Sequence, residues 1–397
     1  EKAGGTLKLS GGGSGGGAFK GDISVINGTL LMAAVDVTGW NSNNALNTSG
    51  IRVEEQGRVQ VDARQTFFKL LLTLKGGTVT GTAGFDLFGN GASVVTEASD
   101  RQAEISTAIG LRQNDTVFNI ADGASAVDLL VSGTIKNNVD ANAAGNHNFI
   151  KQGDGYLKIT GSYDATGSVT VQQGTLEFNS GSDVKASGLS IGGEAVILMN
   201  GMAANGSSYG GALSGYDGSA GTLEVAAGRK LSLTGNSASF GGTLQLDENS
   251  SLVLTGNMGA ADLCGSGSIV VNGGETVISG GNDGASLFGG TVSITGGTLR
   301  AGSDTGLGAN DITLTGGTLD INGKSLANRI VVSGGIMTGT DNSSVGDVVV
   351  SKNFSMAGSL SAASLAIDSG VTVSSANLTS RGNMTMGRGA LLSTTGT

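Results

Sequence analysis

The sequence predicts an all-β chain wound as a right-handed parallel β-helix, a β-solenoid of about 20 residues per coil. Three observations predict it. First, Gly221-Thr222-Leu223-Glu224-Val225 with Leu231-Ser232-Leu233-Thr234-Gly235-Asn236 superimposes on Gly242-Thr243-Leu244-Gln245-Leu246 with Leu252-Val253-Leu254-Thr255-Gly256-Asn257, at a spacing of 21 residues. Each line holds two short apolar-polar alternations, the pattern of strands with one buried face. A repeat this short cannot bury its own side chains, so Leu223 must stack on Leu244, and Leu231 on Leu252, in successive coils. Second, the unit Gly-Thr-(Leu/Val/Ile) returns at 133, 174, 221, 242, 290, 297 and 317. Glycine turns a corner, threonine favours the extended state that follows, and the aliphatic points inward. Third, the composition joins 72 Gly and no Pro to 38% hydrophobic residues that alternate with Ser, Thr, Asn and Asp. Disordered chains do not alternate in this way.

The order along the chain supports one continuous β-helix over residues 1–397. Strand patterns at Thr6-Leu7-Lys8-Leu9 and Ile23-Ser24-Val25 flank the glycine run Gly11 to Gly17, which reads as a loop leaving a coil rather than a linker. Residues 31–110 are the least regular, with alternation at Ile51-Arg52-Val53, Arg58-Val59-Gln60-Val61 and Gly77-Thr78-Val79. The segment 94–111 has no Gly before Gly110 and carries Glu97, Asp100, Arg101 and Glu104, so it reads as a helix or a lateral insertion crossing the coils. From 116 to 397 the coils are expected to be more regular. The crossover hand follows the right-handed preference of parallel connections.

A family resemblance rests on Lys151-Gln152-Gly153-Asp154-Gly155-Tyr156-Leu157-Lys158-Ile159-Thr160-Gly161-Ser162-Tyr163, followed by Thr166-Gly167-Ser168-Val169-Thr170-Val171 and Gly174-Thr175-Leu176. This stretch resembles the passenger-associated repeat of bacterial autotransporters: Lys-x-Gly-x-Gly-x-Leu-x-Leu-x-Gly, then Tyr, Thr-Gly, alternating valines and a closing Gly-x-Leu. Residues 2–30 resemble a second copy with a shorter first turn and a glycine run where Tyr is expected. Leu307-Gly308-Ala309-Asn310-Asp311-Ile312-Thr313-Leu314-Thr315-Gly316-Gly317-Thr318-Leu319-Asp320 is similar to other lines of such passengers. The resemblance implies a passenger segment at the cell surface of a Gram-negative bacterium, or secreted from it. It also implies a signal peptide and a C-terminal outer-membrane barrel outside residues 1–397. Expected roles are adhesin, self-association factor or structural stalk, with extracellular glycans, host-surface proteins or a second cell as partners. A glycan-binding or glycan-degrading β-helix enzyme and an inert spacer are the alternatives.

The residues themselves point to no covalent chemistry. Net charge is −10 and neither sign forms a long run; phosphate recognition needs a basic face, so nucleic acid is not an expected partner. The lone His147 reads as a solvated loop residue, and the lone Cys264 as a small buried hydrophobe without a basic neighbour. One histidine and one cysteine do not make the usual zinc sets. Gly280 to Gly290 resembles a calcium-binding nonapeptide with its order scrambled, and it does not recur, so it reads as a turn. No catalytic, cofactor-binding or metal-binding residue is assigned. The ligand-contact candidates are Trp40, Asp86, Asp100, Arg101 and Glu104, in the irregular region. Asp62, Asp86, Asp100, Arg101 and Glu104 form the one concentration of acids and bases that a glycan-cleaving β-helix could use. Trp40 and the pair Phe67-Phe68 read as stacking on sugars or, better, as shielding an open terminal coil.

Overall fold

The structure is a computed structural model that describes residues 4–11, 19–40, 47–141, 143–181, 183–201, 207–281 and 288–395. Within these residues every regular element is a β-strand, and the coils are parallel and stacked in register, so the chain folds as a β-solenoid. It divides into two compact units, Glu1–Met202 and Ala203–Thr397. Most of the glycine run of the first coil, and residues 282–287 of the calcium-like stretch, lie outside the described residues.

In the first unit one core-facing column runs Leu7, Leu30, Val59, Val79, Ile105, Val131, Ile159, Phe178, Met199, each residue the register partner of the next. All but Leu7 are buried. Each buried aliphatic contributes about 1.5–3 kcal/mol, and none of it is available to a coil standing alone. The neighbouring column runs Leu72, Val94, Phe118, Lys151, Val171, Ile191. A lysine thus occupies a core position between a phenylalanine and a valine.

Lys151, the first residue of the Lys-x-Gly-x-Gly motif, is fully buried and donates from Nζ to the carbonyls of Gly153 at 2.5 Å and Gln173 at 2.8 Å. It ties the turn of its own coil to the turn of the next. Burial pushes its ammonium down to about 8, against the pull of Asp154, Asp128 and Asp122. An unfolded lysine titrates near 10.5, so between pH 8 and 10.5 the unfolded chain binds the extra proton. Below pH 8 the cost of burying the charge is present in full, and it is relieved as pH rises through that window. In urea melts at pH 7 and pH 10, the wild type should therefore gain stability relative to Lys151→Met; equal changes in the two proteins would refute the assignment.

The described residues of 31–110 are more regular than the sequence suggests, and 94–111 holds neither helix nor lateral insertion. It contains the strands Ser93–Thr96, Ala103–Ile105 and Ala108–Arg112, paired into the coils on either side. Val94, Thr96, Ala103, Ile105, Ile109 and Leu111 are buried, while Glu97, Asp100 and Arg101 fall at exposed turn positions between strands. Alternation in three short pieces was hidden by charged turns that contain no glycine.

In the second unit Leu223, Leu244 and Leu263 stack as the repeat requires. A second column runs from Leu231 through Leu252, Ile269, Val292, Ile312 and Ile330 to Val348. At the Gly-Thr-Leu corner beginning with Gly297, φ is 65° and a Cβ would collide with the backbone of Gly273 and Gly274 in the coil beside it. Only glycine satisfies both demands.

Candidate functional site

The densest cluster of charges in the first unit lies on the outer face of a separate four-stranded parallel sheet. Its strands are Gln65–Phe68, Gly84–Phe88, Ala108–Arg112 and Ile135–Lys136. Alternation assigns the two faces. Phe67 and Phe85 point inward and stack with centroids 4.6 Å apart, while Thr66, Phe68, Asp86, Phe88 and Arg112 point outward.

Asp86 has no exposed surface although it faces out, because the segment around Val139 lies over it. The Val139 amide donates to Oδ1 at 2.6 Å and the Asp140 amide to Oδ2 at 3.2 Å. Arg112 and Arg64 approach Oδ2 to 3.6 and 4.0 Å, and both also pair with Asp140, at 3.4 and 3.7 Å. Arg64 reaches on to Asp36 at 3.1 Å, whose other oxygen accepts the Thr66 amide at 2.7 Å. Gly110 makes this possible: a Cβ there would overlap the Asp86 carboxylate and the Val139 amide. Burial raises the Asp86 carboxyl above the usual range, opposed by the two amides and then by Arg112 and Arg64. With both oxygens engaged, Asp86 works as a bracket that fastens the 137–141 segment to the sheet.

Beside the bracket, the rings of Phe68 and Phe88 lie 5.7 Å apart, with the Arg112 guanidinium 4.8 Å above Phe88 and the Lys69 ammonium 5.5 Å from Phe68. A shallow polar recess of about 400 Å³, lined by Lys136, Asn137, Asn138, Asp140 and Asp164, adjoins the same segment. His147 departs from the sequence reading. It is half-buried with both ring nitrogens shielded from solvent, and its pKa is lowered by burial and then by the charge of Arg112.

The five candidates from the sequence are not brought together. Asp86 sits in this bracket. Glu104 lies on Ala103–Ile105, a strand of a different sheet, and accepts a hydrogen bond from Ser132 at 2.9 Å. Asp100 and Arg101 occupy the exposed turn before that strand, and Trp40 is 42% exposed beyond the turn that follows Met32. The Asp62 carboxylate accepts a hydrogen bond from the Gln60 side-chain amide at 2.7 Å. Phe67 is core and Phe68 is surface, so the pair is split by the strand period. Sequence reasoning named none of Arg64, Arg112 and Asp140 as contact residues, and they lie far apart in the chain; register sets Thr66 and Gly110 beside Asp86, with Arg64 two residues before the one and Arg112 two residues after the other, a relation that no fixed spacing in the sequence marks.

A second polar cluster surrounds Glu177, which is buried at 1% side-chain exposure. The Tyr156 hydroxyl donates to it at 2.5 Å, Lys158 pairs with it at 3.1 Å, and Asn179 and Asn200 donate to its other oxygen. These donors hold its carboxyl below the usual range although burial acts the other way. Cys264 is buried, and its thiol is pushed up by burial and by Asp262. Among the described residues no group of three or more His, Cys, Asp or Glu is arranged to hold a metal ion. Comparison with protein-family models, with curated proteins and with solved structures finds no match, so the solenoid and its charged bracket stand on their own geometry.

Proposed function

We propose that the chain is a passenger segment of an autotransporter-like protein, serving at the cell surface as a stalk or adhesin through its lateral faces. The observation that supports this most directly is the β-solenoid itself, combined with the passenger-like motif at Lys151, whose lysine fastens two successive turns. Stacked coils turn a polar sequence into a long, regular side surface, suited to many weak contacts at once. The motif residues contribute to architecture, consistent with a segment that displays or adheres.

The test is to place residues 1–397 between an export signal and an outer-membrane autotransporter barrel in a Gram-negative host. Intact cells should expose the chain to added protease and gain adherence to glycan-coated or cell-coated surfaces. Retention inside the outer membrane would sink the reading. The outward Phe68-Phe88 pair with Arg112 favours glycan as the partner class over protein, since aromatic faces and guanidinium groups suit sugar rings and their hydroxyls. Release of saccharide by the purified chain, abolished in Asp86→Ala, would instead establish the glycan-degrading alternative.

A further inference from the structure

One lateral column of the second unit carries no charge from end to end. The register partners run Ser208, Ser232, Val253, Val270, Ser293, Thr313 in one half, and continue through Val331, Val349 and Ala366 to Thr385. From Ser208 to Ala366 they occupy the outward positions of their strands, between buried neighbours such as Leu252 and Leu254 or Ile330 and Val332, while at the last coil Thr385 lies between the exposed Met384 and Met386. The outward column on the other strand of the same coils is different: there Val277, Arg300, Asp320 and Thr338 align, with Arg300 paired to Glu275 at 3.0 Å and to Asp320 at 2.9 Å. Charge is therefore placed on one lateral column and withheld from the other.

We infer that the face centred on this uncharged column associates with the same face of a second copy of the chain, the two solenoid axes running antiparallel. The inference rests on the stalk or adhesin reading only in taking the lateral surface as the working one. β-Branched and small side chains on a flat sheet pack face to face with another sheet about 10 Å away. Charge decides the orientation. The column beside the strip carries Lys230, Asp311, Arg329 and Asp347; Asp311 and Arg329 are paired at 2.8 Å and both about half exposed, at 51% and 48% of their side chains. A two-fold axis along the strand direction, midway between the coils of Thr313 and Val331, sets Arg329 of each copy against Asp311 of the other. It also sets Thr313 against Val331, Ser293 against Val349 and Val270 against Ala366. With the solenoid axes parallel, the charged column would instead meet hydroxyls. Under that axis the eight coils from Val253 to Thr385 face each other, and at about 4.8 Å per coil with three outward positions along each strand they give roughly 500 Å² per copy. That is small for a specific interface, where about 800 Å² per partner is standard, so the pair is reversible and concentration-dependent.

Sedimentation velocity of the purified chain tests this without cells, so failure of export or adherence does not bear on it. The wild type should shift from monomer to dimer with concentration. Val270→Lys and Val331→Lys should each weaken the dimer by about tenfold or more, because each buries an ammonium against an apolar face. Val277→Lys, on the charged column, should leave it unchanged. All three sites face outward, and matching melting curves would show that the fold persists. Arg329→Asp should weaken association, and the double swap Asp311→Arg with Arg329→Asp should restore it. A wild type that is monomeric at every accessible concentration overturns the inference, as does a dimer insensitive to the two strip lysines or equally sensitive to Val277→Lys. Failure of the swap to restore association overturns the antiparallel arrangement.

Discussion

Leu244→Asp should lower the stability of the second unit by about 4–5 kcal/mol or more, the upper range for a single substitution. Leu244 has no exposed surface and lies in register between Leu223 and Leu263. An aspartate there would face aliphatic side chains from the coil on each side, with no donor in that column to hold its charge. The damage should also spread. Each coil takes its buried surface from its neighbours, so amide exchange should accelerate in Thr222–Val225 and Asp262–Gly265 as well as in Thr243–Leu246. A loss below about 1 kcal/mol, confined to the substituted strand, would contradict a core shared between coils.

Asp86→Ala should cost about 3 kcal/mol, by a different route. The substitution leaves two backbone amides without an acceptor and two guanidinium groups with one carboxylate fewer. Asp140 still pairs with both arginines, which keeps the loss below that of an isolated buried ion pair. Asp86→Asn should cost about half as much, since the amide oxygen can still accept from Val139 while the NH₂ group faces Arg112. Urea midpoints give the cost, and exchange of the Val139 and Asp140 amides shows where the segment has come loose. Unchanged protection of those two amides in Asp86→Ala would remove Asp86 from its role as a bracket.

The column architecture was legible because it repeats. Leu223 over Leu244 and Leu231 over Leu252 are sequence facts before they are contacts, and the structure places them as register partners. Turns were legible where glycine marks them and illegible where charge does. At Glu97 to Arg101 an exposed turn contains no glycine, so three strands resembled one helix. The bracket was only partly legible. Asp86 stood out as an acid in an irregular region, but its partners Arg64, Arg112 and Asp140 are brought in by circuits of differing length. The same cause separated it from Glu104, which is closer in sequence than Asp140 yet lies on another sheet. Lys151 was read as part of a motif, and nothing in its neighbours' polarity betrayed that it occupies a core position.

The circuits of the second unit are unequal, and this governs how such a molecule can change over generations. From Ser232 to Val253 is 21 residues, and from Val253 to Val270 only 17, yet the partners stay level. The strands act as rungs fixed by backbone hydrogen bonds, and the corners absorb whatever length is left over. Gaining or losing residues at a corner leaves every lateral column intact. One residue gained within a strand turns the rest of that rung inside out and puts its leucines in water. Lineages of this chain should therefore drift in length at the corners and hold still along the rungs, so that outer surfaces diversify while the ladder beneath them persists.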